Sequence, residues 1–172
     1  MPRNIEIKAR VKDVDVLRRR MEALSEAAAE VLDQSDTFFA APNGRLKLRV
    51  LSPDACELIY YERPDRRGAK ESRYILVRSE ASDPLLQILT AVLDVRGVVN
   101  KRRFLYRMGR TRIHLDAVEG LGVFMELEVM LDDDQSLEEG IAIAEDLMQE
   151  LGIEDADRIS GAYIDLLEQG AS

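Results

Sequence analysis

The chain has 172 residues, with 33 acidic against 24 basic side chains and a formal charge of −9, a balance that argues against a general nucleic-acid or membrane-surface binder. That length suits one domain, residues 1–172, with a full apolar core, and the lone Cys56 excludes a disulfide framework or a thiolate metal site. With no window near ~18 continuous apolar residues and no leader-like apolar run before the first strand pattern, a soluble cytoplasmic protein is expected.

The segment Asn4-Ile5-Glu6-Ile7-Lys8-Ala9-Arg10-Val11 alternates strictly, with Ile5, Ile7, Ala9 and Val11 on one face and Asn4, Glu6, Lys8 and Arg10 on the other. A period of two predicts a strand packed on a core by one face. Asp13 is the expected N-cap of a helix over residues 13–32, in which Val14, Leu17, Met21, Leu24, Ala28 and Val31 share a face. Strands follow over 36–39, 45–50, 57–63 and 72–78, separated by Pro42-Asn43-Gly44, Ser52-Pro53-Asp54 and a polar loop at 64–70. Asp83-Pro84 opens a second helix with Leu85, Ile88, Leu89, Val92 and Leu93 on its buried face and Gly97 as its stop. Further strands at 98–106, 111–118 and 123–131 are joined by Met108-Gly109-Arg110 and Glu119-Gly120-Leu121-Gly122. Helices over 136–151 and 158–168 close the chain, with Gly152 at a C′ position. Eight strands joined by turns too short for parallel crossovers predict an α+β fold, an antiparallel sheet with helices outside, and eight such strands also close into a barrel.

Charge is sorted along the chain. Residues 95–115 contain seven cations and no carboxylate, whereas residues 113–157 contain no Lys or Arg. The polar strand faces carry Glu6, Lys8 and Arg10; Arg45, Lys47 and Arg49; Lys101, Arg103 and Arg107; Arg112, His114 and Asp116; and Glu126 with Glu128. Each face taken alone reads as the wet side of an open sheet with cross-strand ion pairs. If the faces converge, they line one cavity rich in cations. Unpaired buried charge costs several kcal/mol per ion, so such a cavity calls for water, a bound polyanion and a divalent metal. Arg and Lys hold phosphate oxygens, Arg often bidentately. Glu6, Asp116, Glu126 and Glu128 offer hard oxygens suited to Mg²⁺ or Mn²⁺.

The opening Asn4-Ile5-Glu6-Ile7-Lys8 resembles the N-terminal ExExK motif of the CYTH superfamily, the triphosphate tunnel metalloenzymes. The likeness runs in order through Arg45-Leu46-Lys47-Leu48-Arg49, Lys101-Arg102-Arg103, His114-Leu115-Asp116 and the segment from Gly120 to Glu128, with Tyr163 in the last helix. The opening strand and the Leu-Gly-x-Phe-x-Glu-x-Glu segment look closest to the class IV adenylyl cyclase-like branch. This resemblance implies a tunnel of eight antiparallel strands that binds a triphosphate with Mg²⁺ or Mn²⁺. By motif position it puts Glu6, Asp116, Glu126 and Glu128 on the metal. It puts Lys8, Arg10, Lys47, Arg49, Lys101, Arg103 and Arg112 on the phosphates, with Glu6, Lys8 and Glu128 central to catalysis. Two positions depart from the pattern. Asn4 replaces the first acid of the motif with a neutral amide. Glu62 stands where the family carries a Lys before Gly-Pro, and Arg63 substitutes only if the strand slips or bulges by one residue.

The implied activity is metal-assisted phosphoryl chemistry on a small-molecule triphosphate (ATP, thiamine triphosphate or inorganic triphosphate), as cyclisation or hydrolysis, in a monomer or homodimer that needs neither nucleic acid nor membrane. A non-catalytic binder of polyphosphates or nucleotides is the alternative. His114 is read as a hydrogen-bonding strand residue in preference to a general acid or base. Cys56 is given no catalytic role, and Tyr74 and Tyr106 are assigned to packing.

Overall fold

The computed structural model describes residues 1–170. Its strands are β1 (Arg3–Arg10), β2 (Glu30–Phe39), β3 (Arg45–Ser52), β4 (Ala55–Glu62), β5 (Lys70–Ser79), β6 (Val95–Met108), β7 (Thr111–Val118), β8 (Gly122–Met130) and the two-residue β9 (Arg158–Ile159). Among the described residues there are also four α-helices, α1 (Val14–Leu24), α2 (Ser82–Val92), α3 (Leu137–Leu151) and α4 (Tyr163–Gly170), and one 3-10 turn at Asp155–Asp157. The strands run antiparallel in the order β5-β4-β3-β2-β6-β7-β8-β1, and β1 returns to pair with β5 from Arg3↔Arg73 to Glu6↔Lys70. Eight strands thus close into a barrel. Past that contact, β9 takes over the same edge of β1 opposite Lys8 and Ala9.

The alternation in β1 separates two environments. Ile5, Ile7 and Ala9 point outward and are fully buried with Ile113, Leu115, Met125 and Leu127 beneath Leu17 and Met21 of α1 and Ala144, Leu147 and Met148 of α3. A second outer cluster seats Leu85, Leu86, Leu89 and Leu93 on Phe39, Leu48 and Cys56. The largest apolar core therefore lies between the barrel wall and its helices, each large aliphatic side chain stabilising the fold by about 1.5–3 kcal/mol. A third cluster sits at one end of the bore, where Ala162, Tyr163 and Ile164 meet Phe38, Ile59, Val99 and Phe124.

Several boundaries differ from the sequence expectation, each for a tertiary reason. The first helix, expected over 13–32, is capped by Asp13 at the Val16 amide but ends at Leu24. Residues from Glu30 onward pair with β6 instead, and Ala28 and Val31 are exposed. Here a ten-residue ladder outweighs helical spacing. In α2, Ile88 and Val92 face solvent, and the helix packs Leu85, Leu86 and Leu89, each partly buried, against the wall. Gly97 does not stop that helix; it lies within β6, where a Cβ would stand 2.8 Å from Ile164 Cδ1. The last helix starts at Tyr163, because Arg158 and Ile159 are drawn into β9. No helix of the described residues is long and apolar enough to cross a membrane.

Candidate functional site

The inward residues of the barrel enclose a cavity of about 280 Å³ whose wall carries eight cations and five carboxylates. The polar faces read from β1, β3, β6, β7 and β8 converge there, in place of forming the wet side of an open sheet. The register dictates the neighbours. Across β1 and β8, Glu6 lies opposite Glu128 and Lys8 opposite Glu126. Ligand oxygens of Glu6, Glu126 and Glu128 all lie within 4.8 Å of one another.

Around this carboxylate cluster, Arg63 Nη1 donates to Glu6 Oε2 at 2.6 Å and Nη2 donates to the Gly161 carbonyl at 2.8 Å. Lys8 Nζ stands 3.5 Å from Glu126 and 4.0 Å above the Tyr163 ring. The nearest cation to Glu128 is Arg112 at 3.6 Å. Burial, with the charges of Glu126 and Glu6, pushes Glu128 up to about 7. Burial also opposes ionisation of Glu126, but Lys8 and Arg103 hold it well below the usual carboxylate range. The carboxylates thus repel one another enough to raise Glu128 while the neighbouring cations keep Glu126 ionised.

The opposite wall is cationic and centred on Asp36. Its carboxylate accepts from Lys47 Nζ at 2.9 Å, Arg49 Nε at 2.8 Å and Lys101 Nζ at 2.9 Å. Burial would raise the Asp36 pKa, yet Arg49, Lys101 and Lys47 hold it well below the ordinary value. Burial and then the Arg49 charge bring Lys47 down to about 8. Burial, resisted by Asp36 and reinforced by Arg49, brings Lys101 to about 7. Between the two walls, Arg103 makes a bidentate pair with Asp116 at 2.7 Å on both oxygens, and the Tyr163 hydroxyl donates to Asp116 at 2.8 Å.

Of the residues singled out in the sequence, Glu6, Lys8, Lys47, Arg49, Lys101, Arg103, Arg112, Glu126 and Glu128 line the one cavity. Arg10 does not; it is exposed at the strand end, 5.3 Å from the Phe124 ring centroid. Asp116 does not join the carboxylate cluster either. It is fully buried, and both of its oxygens serve Arg103 and Tyr163, so it positions a cation. Arg45 turns to Asp65 and Asp165, and Arg107 to Glu30. His114 is buried on the inward side; burial and then the Arg103 charge keep it neutral, with its pKa well below the usual value. Tyr106 packs in the outer core as expected, whereas Tyr74 lines the cavity.

Sequence reading missed Asp36 and misjudged Arg63. Asp36 opens a strand that the sequence shows only over 36–39, because the helical spacing claims Glu30 to Leu32 and nothing marks 33–35; four residues are too few to show which parity of β2 faces inward. Arg63 reaches the cavity without any slip, because Glu57, Ile59 and Tyr61 already place the odd positions of β4 inward and Glu62 outward. That parity was legible in Glu57 to Arg63 and could have found it.

The cluster fits a hard divalent cation. Three converging carboxylates form an all-oxygen donor set, and the raised Glu128 pKa shows the repulsion that such a cation relieves. A closed antiparallel barrel with cations facing a glutamate cluster across a narrow bore is a tunnel suited to a polyanion. The model of the CYTH domain matches residues 2–163, and the chain belongs to that family. It is 29% identical over 175 residues to the adenylate cyclase CyaB of Aeromonas hydrophila, covering 96% of this chain and 88% of the relative. Among solved structures it is similar to the PH1012 protein of Pyrococcus horikoshii OT3 (TM-score 0.84, 28% identity, 95% and 98% of the two chains). In fold it also matches HpAC1 of Hippeastrum, an adenylyl cyclase candidate described with a dominant triphosphatase activity (TM-score 0.67, 18% identity, 97% and 96% of the two chains).

Proposed function

We propose that the protein is a divalent-metal-dependent enzyme acting on a triphosphate compound held in the tunnel. One observation carries this reading: a cavity of about 280 Å³ in which a cationic wall faces three converging glutamates. The cyclase and triphosphatase activities of its relatives support the same chemistry. Lys47, Arg49, Lys101, Arg103, Arg112 and Lys8 hold the phosphate oxygens and neutralise charge that develops during transfer. Asp116 and Tyr163 fix the Arg103 fork, so that cation is oriented before substrate arrives. Glu6, Glu126 and Glu128 would hold Mg²⁺ or Mn²⁺, which supplies Lewis-acid polarisation of phosphate oxygens when bound.

Two outcomes share this arrangement. Water attacking the terminal phosphorus releases phosphate; a ribose 3′-hydroxyl attacking the α-phosphorus gives cyclic AMP and pyrophosphate. Incubation with Mg²⁺ or Mn²⁺ and, separately, inorganic triphosphate, thiamine triphosphate and ATP is expected to yield phosphate, pyrophosphate or cyclic AMP. Glu128→Gln is expected to abolish that turnover while the protein stays folded; full activity of the variant would refute the role given to Glu128. Asn4, which lines the same cavity with a neutral amide, favours a second reading as a non-catalytic polyphosphate or nucleotide binder. No turnover of any substrate, with inorganic triphosphate still raising the melting temperature, would establish that reading in place of the enzyme.

A further inference from the structure

The two edges of β5 are covered unequally. Along one edge β4 pairs with it from Arg73 to Ser79 without a shift of register. Along the other, β1 pairs only from Lys70 to Arg73, and the Tyr74 amide donates to the Pro2 carbonyl just before β1 begins. Among the described residues no strand pairs with Ile75–Ser79 on that side. In an antiparallel ladder the N–H and C=O of one residue point to the same edge, and successive residues alternate between edges. Tyr74 faces β1, so Leu76 and Arg78 turn their backbone groups to the uncovered side.

Sheets commonly blunt an open edge with proline, a bulge, charge or a covering helix. Residues 75–79 contain no proline and pair with β4 without a bulge. Their one charge, Arg78, lies 3.4 Å from Glu57 on the neighbouring strand. On the outer face Ile75 is 49% and Val77 55% exposed. An open edge flanked by exposed β-branched side chains suits the addition of a strand.

We propose that this edge pairs with the same edge of a second copy of the chain, joining two barrels about a two-fold axis at Val77. The free stretch is bounded by Pro2 at one end and by the end of β5 at the other, so Val77 is its centre. Antiparallel pairing about that centre sets Leu76 opposite Arg78 of the second copy, and Arg78 opposite Leu76. Each such pair exchanges two backbone hydrogen bonds, so one symmetry operation satisfies both edges. Neighbouring registers fail. Shifted two residues one way, Arg78 would meet the second copy at Tyr74, a place Pro2 already holds. Shifted the other way, the two Arg78 side chains would stand directly opposite each other. In the favoured register Val77 meets Val77 of the second copy, and Ile75 meets Ser79. Leu76 and Arg78 also line the tunnel, so each copy extends the wall of the other's cavity. A five-residue edge is about 17 Å long, less than an interface of standard size needs, so the dimer forms reversibly.

The test is sedimentation velocity of the full chain over about 1 μM to 1 mM protein, the range in which weak interfaces fill. Wild type is expected to pass from monomer to dimer within it. Val77→Lys sets two ammonium groups face to face at the axis and is expected to weaken the dimer by about tenfold or more, with circular dichroism confirming its fold. Val77→Cys gives a readout by gain. Facing residues at such a position have Cα atoms about 4.5 Å apart, within reach of a disulfide. Mild oxidation is therefore expected to yield a covalent dimer. Val98→Cys, exposed on β6 across the barrel, is expected to remain uncrosslinked, as is the wild type, whose Cys56 is buried. A wild type that stays monomeric throughout overturns the proposal, and so does a Val77→Lys dimer as tight as the wild type. A wild-type dimer whose Val77→Cys variant crosslinks no faster than Val98→Cys overturns the β5 interface.

Discussion

Asp36 sits on the inward face of β2 with its two oxygens shared among Lys47, Arg49 and Lys101. It occupies the position of an anion among cations meant for one, which keeps them together when the tunnel is empty. Removing one partner of a buried ion network costs about 3–5 kcal/mol. Asp36→Asn is therefore expected to lower the melting temperature by on the order of 5–15 °C, with part of the loss recovered by inorganic triphosphate. A melting curve unchanged from wild type would show that the three cations do not depend on Asp36. The same cations give binding a pH dependence. Lys47 and Lys101 titrate near 8 and 7 in the fold, against 10.5 in the unfolded chain. Their contribution to stability is fully present above pH 10.5 and is lost as pH falls through 8 and 7. A polyanion restores their protons, so binding takes up protons and weakens as pH rises past about 8. Glu128 has the opposite sign: raised from 4.5 to about 7, its contribution is present below pH 4.5 and lost as pH rises through 7. Calorimetry in buffers of different ionisation enthalpy is expected to show proton uptake with inorganic triphosphate at pH 8 and proton release with Mn²⁺ at pH 6.

At the scale of elements, β1 was legible because its alternation of apolar and polar residues has one reading, whereas α1 and β2 were not. Helical spacing continues through Ala28 and Val31, and only the distant partners in β6 decide where the helix yields. That error propagated, since misplacing the start of β2 hid the inward parity of both Gln34 and Asp36. The close fit of α3 to the wall is likewise a product of packing. A Cβ on Gly140 would stand 2.5 Å from Leu131 Cδ2 and 2.8 Å from Ile5 Cγ1. Alanine at a helix interior gains about 1 kcal/mol over glycine, but overpacking a core costs about 1–3 kcal/mol. Gly140→Ala is expected to destabilise by about 1 kcal/mol, read as a lower denaturation midpoint with an unchanged slope. A higher midpoint would mean that the outer core yields to accommodate the methyl group.

At the scale of the molecule, strand number and antiparallel connection were readable from short turns, and closure was not. Eight antiparallel strands permit an open sheet or a barrel, and the deciding contact, Arg3 to Glu6 against Lys70 to Arg73, joins segments more than sixty residues apart. The site was legible where like residues recur on one parity, as in Lys47 with Arg49 or Glu126 with Glu128. It failed where the reading relied on parity alone at a strand end, as at Arg10. The placing of the largest apolar core outside the barrel has a thermodynamic consequence. Folding dehydrates apolar surface beneath α1, α2 and α3, whereas filling the tunnel displaces water from charged walls. Apolar and polar dehydration change heat capacity with opposite signs. Folding and phosphate binding are thus driven by different hydration physics, and warming shifts the two equilibria by different laws.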